Sequence, residues 1–95
     1  MTICSTLDEV RQNIDRIDDE IVKLIAERAG YVKQASGFKR NVAEVNADER
    51  RKAIYNKVRA KAEAVGADPD MVEALYKEMI ARNIAMEMRD LENRK

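Results

Sequence analysis

Arg28 stands where an apolar helical series, Leu7, Val10, Ile14, Ile17, Ile21 and Leu24, would next place a hydrophobic side chain. Lys39 follows eleven residues later, about three helical turns, so both side chains are predicted to point the same way. Further along, Asn83 and Glu87 lie one turn apart on a face predicted to turn inward. A basic pair facing a carboxylate and an amide inside a helical protein has two readings. One is a structural polar layer, an ion-pair network that fixes the register of helices. The other is an anion pocket, because arginine forks match carboxylates bidentately and lysine supplies a mobile point charge.

The remaining arginines carry constraints of their own. Arg11 is seventeen residues from Arg28, about 25 Å along one helix. If both touch one small ligand, Arg11 must come from a second, antiparallel subunit; otherwise it is a solvated surface arginine. Arg16 reads as a surface partner of Asp15, Asp19 or Glu20. The run "DERRK", residues 48–52, opens a helix: Asp48 and Glu49 suit its positive end, while Arg50 and Arg51 need solvent or a ligand. One of those two arginines is a surface residue, and the sequence does not say which.

The missing residue types bound the chemistry. There is no histidine, and Cys4 is the single cysteine, so a Cys–His nucleophile is excluded. No tight carboxylate cluster shares an inward face, so no metal is expected. Charges placed without a nucleophile suit a reaction driven by the folding of the substrate and by electrostatic stabilisation.

The elements that must position these charges are helical. Ala, Glu, Lys, Arg, Met and Ile abound, and only Pro69 and three glycines interrupt the chain. Thr6 followed by Glu9 fits a capping box opening the first helix. Its apolar rhythm continues through Arg28, Tyr31, Ala35 and Phe38, which predicts a helix over 7–38, about 50 Å long. A compact monomer of this size would be only about 30 Å across, so the rod needs a partner along much of its length. "RNVAEVNA", residues 40–47, loses the periodicity and reads as a loop. A second helix starts near Asn46 or Asp48 and ends by Gly66, a fitting C′ glycine. The third is capped by Asp68, with Pro69 at its first position, and runs to roughly Leu91. The expected architecture is all-α, long helix, short helix, long helix, forming an intertwined homodimeric bundle with residues 1–95 as one domain.

Ninety-five residues bury a modest fraction of their surface, which again favours oligomerisation. Eighteen basic and eighteen acidic residues balance, against the visibly basic chain of a nucleic-acid-coating protein. No stretch approaches membrane-spanning length and the first ten residues do not form a secretory leader. A cytoplasmic location is expected, with Cys4 in a frayed terminus.

The spacing of Arg11, "IDRIDDEIVKLIAER" ending at Arg28, "YVKQASGFK" ending at Lys39, and "DERR" resembles the all-helical chorismate mutase family from about residue 7 to residue 90. Members are intertwined homodimers with shared sites that rearrange chorismate to prephenate without a cofactor. The resemblance implies a small dianionic substrate, its carboxylates gripped by Arg28 and by Arg11 of the other subunit. It implies Lys39 as donor to the ether oxygen, where charge develops as the C–O bond breaks. Arg50 matches the arginine opening the second helix, Asp48 the vicinity of the ring hydroxyl, Asn83 a polar lining position, and Glu87 the second ether-oxygen donor. Two departures stand out. Glu87 replaces the usual glutamine and must be protonated to donate, so turnover is expected to improve at acidic pH. Arg51 replaces a glutamate that helps hold the ring hydroxyl. Together with a shortened loop, these departures resemble the isochorismate-pyruvate lyase branch, which yields salicylate and pyruvate. The non-catalytic alternative is a helical dimerisation or small-anion-binding module.

Overall fold

The computed structural model describes residues 1–94, and among these every regular element is helical. The elements are α1 (Leu7–Ser36), α2 (Val42–Asn46), α3 (Asp48–Val65) and α4 (Pro69–Asn93). The chain divides into two compact units, Met1–Val32 and the part from Lys33 onward.

The first unit is the leading segment and the greater part of α1. The predicted capping box forms with one change. Thr6 Oγ1 accepts from the Glu9 amide at 3.1 Å, but the Glu9 carboxylate reaches back to the Ser5 amide, at 2.8 Å, rather than to Thr6. Cys4 is half-buried rather than frayed, its sulfur accepting from the Asn13 side-chain amide. The apolar stripe of this unit is bare. Leu7, Val10, Ile14, Ile17, Ile21 and Leu24 are all exposed, at 39–62% of their full area. With about half of each side chain still to be covered, burial would add about 1 kcal/mol apiece, a large driving force over the whole stripe.

The second unit has a small core of its own, Val45 from α2, Ala62 from α3 and Ile80 from α4. α4 packs against both α2 and α3. The α3–α4 connection is a Schellman turn: Gly66, at φ 80°, gives its amide to the Glu63 carbonyl, and Ala67 gives its own to Ala62. Asp68 then caps α4 by accepting from the Asp70 amide, with Pro69 filling the first helical position, as the sequence predicts. A charged strap closes this helical pair. Arg59 donates to Asp70 at 2.9 Å and lies 3.4 Å from Glu73, which also accepts from Lys77. Lys77 in turn sits 5.5 Å from the centre of the Tyr55 ring. The Lys77 hydrogen bond, with Arg59 adding, holds the Glu73 carboxyl below its ordinary value of 4.5. Such exposed pairs each contribute little, and the strap serves mainly to set the helix crossing.

Two boundaries differ from expectation. α1 stops at Ser36, and Gly37, Phe38 and Lys39 form a tight turn in which each amide bonds to the carbonyl three residues back. Residues 40–47, expected as a loop, contain the one-turn helix α2. Its start repeats the device seen at α1: Asn41 Oδ1 accepts from the Glu44 amide at 2.9 Å, and Glu44 reaches back to the Arg40 amide at 2.6 Å. Ala47 ends α2 and precedes α3 at φ 44°, ψ 54°, a left-handed conformation that an alanine Cβ resists. Ala47→Gly is expected to stabilise the fold by about 1 kcal/mol, raising Tm by roughly 5 °C. Differential scanning calorimetry checks this, and a lowered Tm would show that the alanine side chain has a packing role outweighing the strain.

Candidate functional site

The two ends of the tight turn after α1 are held by α4. Lys39 lies on that turn with its side chain half-buried, and its ammonium donates to Glu87 Oε2 at 2.6 Å. Glu87 is 3% exposed, one of two buried polar residues among those described. Ser36 is the other, at 1%, and its hydroxyl donates to Asp90 Oδ2 at 3.2 Å. No buried side-chain nitrogen or oxygen among the described residues lacks a hydrogen-bond partner. Removing a carboxylate from water costs several kcal/mol unless a cation and further donors compensate. Lys39 supplies that compensation. Asn83, half-buried, lies one turn before Glu87 on α4, as the helical spacing requires.

The α2–α3 junction carries a second charged group. Asp48, the first residue of α3, pairs with Arg51, whose Nε also donates to the Asn46 carbonyl at 2.8 Å. Arg51 therefore ties the end of α2 to the start of α3. Arg50, in the same turn, is exposed. In this chain Arg51 is engaged within the junction, while Arg50 is exposed.

In the first unit, Arg11 is exposed and Arg28 half-buried, both on α1. Their seventeen-residue separation in a continuous helix holds them about 25 Å apart. One protomer's α1 cannot bring both to a single small molecule. The structure therefore joins Lys39 to Glu87, with Asn83 alongside, and Asp48 to Arg51, and it keeps Arg11 and Arg28 apart on their helix.

Sequence reasoning passed over Ser36, Asp90 and Arg94. Arg94, at the end of α4, donates to the carbonyls of Ser36 at 3.2 Å, Gly37 at 3.3 Å and Lys39 at 3.0 Å. Asp90 and Arg94 continue the stripe of Asn83 and Glu87 at helical spacing, which was the signal available. Beside this turn lies a recess of about 410 Å³, lined by Gly37, Lys39, Arg40, Asn41, Val42, Leu91 and Arg94. Among the described residues no group of three His, Cys, Asp or Glu side chains could hold a metal ion. No helix among them is long and apolar enough to cross a membrane.

The arrangement is a half-buried ammonium in contact with a buried carboxylate, on a framework of helices. Comparison with known proteins identifies that framework. The sequence profile described as chorismate mutase type II matches residues 10–88, and the chain belongs to that family. It is 38% identical over 86 residues to the isochorismate pyruvate lyase of Pseudomonas aeruginosa, covering 90% of this chain and 85% of the relative. It is 33% identical over 87 residues to the chorismate mutase of Methanocaldococcus jannaschii, covering 90% and 88%. The bifunctional chorismate mutase/prephenate dehydratase of Aquifex aeolicus is 32% identical over 85 residues, 24% of its own length.

Charge compensation is measurable apart from catalysis. Lys39→Met is expected to lower unfolding stability by about 2–3 kcal/mol, because Glu87 stays buried without its cation. The double variant Lys39→Met/Glu87→Leu is expected to regain most of that loss in urea denaturation. A double variant no more stable than the single one would mean that the lysine's contribution is not charge compensation.

Proposed function

We propose that the chain is a chorismate mutase, converting chorismate to prephenate by a pericyclic shift within the bound substrate. The observation that carries this reading is the contact between Lys39 and buried Glu87 on a chain of the chorismate mutase type II family. In the reaction the ether C–O bond breaks as a C–C bond forms in the same molecule. No proton, electron or group enters or leaves, so the protein's task is to fold the substrate and stabilise developing charge. Lys39 donates to the ether oxygen as negative charge grows there. Glu87 holds the Lys39 ammonium beside that oxygen, at the position of the second ether-oxygen donor. Arg28 and Arg11 bind the two carboxylates, Arg50 and Asp48 close the ring side, and Asn83 lines the pocket.

A second reading has an observation of its own. The relative at 38% identity is an isochorismate pyruvate lyase, and Arg51 is engaged with Asp48 at the position assigned to the ring hydroxyl. There the same C–O bond breaks while a ring hydrogen transfers to the departing enolpyruvyl group, giving salicylate and pyruvate. Chorismate and isochorismate, supplied separately with product chromatography, separate the readings. Prephenate at a substantial rate supports the mutase. Salicylate and pyruvate from isochorismate, with feeble prephenate formation, transfers the assignment to the lyase, and no product from either leaves only the binding module.

The exposed stripe of α1 and the 25 Å between Arg11 and Arg28 support a homodimer with shared sites. An antiparallel partner would cover Ile14, Ile17 and Ile21 and carry its own Arg11 to the site holding Arg28. Arg11→Ala and Arg28→Ala are each expected to be inactive alone. After mixed refolding, half the dimers are heterodimers with one intact site, so about a quarter of wild-type activity returns. Sedimentation of a monomer, or a mixture as inactive as its components, would refute the shared site.

A further inference from the structure

We propose that Arg94 is a positioning residue for Lys39, acting through the backbone of the turn that carries it. The proposal rests on the reading of Lys39 as a donor to the reacting ether. α1 ends at Ser36, and the following amides use the carbonyls of Gln34, Ala35 and Ser36. The carbonyls of Ser36, Gly37 and Lys39 nevertheless converge on one point, and a helix C-terminus there adds partial negative charge. The Arg94 guanidinium occupies that point with bonds of 3.0 to 3.3 Å to all three oxygens. Its own aim is fixed by a bond from Nε to the Asp90 carbonyl at 3.3 Å.

The remaining grips on the turn come from the same stripe of α4. Glu87 holds the Lys39 ammonium, Asp90 the buried Ser36 hydroxyl, and Arg94 the backbone between them. These residues are spaced three and four apart and share one face. Without Arg94, the lysine head group would remain attracted to Glu87, but the backbone beneath it would lose three of its anchors. Arg94 also borders the recess of about 410 Å³ beside Lys39 and another of about 250 Å³ lined by Lys33, Ser36, Gly37, Asp90 and Asn93. Its removal opens space on both sides into which the turn can shift. A planar fork reaches three convergent carbonyls where an ammonium serves them less well, so lysine is an incomplete replacement.

Arg94→Ala in the full-length chain is expected to lower kcat about 10- to 100-fold, with KM changed far less, because a misplaced donor acts on the transition state. Arg94→Lys should recover part of the loss, and added millimolar guanidinium should partly rescue the alanine variant. Hydrogen exchange read by mass spectrometry provides an arm independent of the reaction. Amides of residues 37–41 should exchange at least about 10-fold faster in Arg94→Ala, while those of residues 75–86 keep their wild-type rates. Unchanged exchange at residues 37–41, or an unchanged kcat, overturns the proposal. Uniformly faster exchange with a matching fall in Tm and no rescue overturns it too, assigning Arg94 to global stability. Should the wild-type protein turn over neither substrate, the functional reading fails and the exchange arm alone decides the positioning role.

Discussion

A carboxylate with 3% of its surface left in water dictates much of this structure. Glu87 can occupy the interior face of α4 only if a cation meets it there, and the nearest available backbone is the turn following α1. Bringing Lys39 to that point requires α1 to end at Ser36, the chain to tighten through Gly37 and Phe38, and α4 to run long enough to grip the turn. An apolar pair could fill the same space at equal or greater stability.

The helices and most of their limits were legible because their signals are local. Asp68 and Pro69 at the start of α4, and Gly66 after α3, need no knowledge of the rest of the chain. α2 escaped because five residues are too few for a 3.6-residue rhythm to declare itself. Its cap was nevertheless written as Asn41 and Glu44, the same three-residue spacing as Thr6 and Glu9. Lys39 and Glu87 were legible as a facing pair, yet only the fold gives their 2.6 Å contact across forty-eight residues of sequence. The part that Arg51 plays in the junction could not be read locally, because it needs the Asn46 carbonyl, beyond the left-handed turn at Ala47, within reach of its Nε.

The two units differ in how they meet the cost of ordering their chain. The second has a small core, a Schellman turn and a charged strap. In the first, the apolar side chains of α1 lie exposed, so tertiary packing adds little to the helix there.

The capped turn α2 also bears on how a ligand would be received. The connection between Lys39 and Asp48 is already folded by the Asn41 and Glu44 caps and by Arg51. Its conformational entropy is surrendered when the protein folds, leaving little to lose on encounter. A ligand received at that end would therefore meet a preformed surface, like a key entering a cut lock.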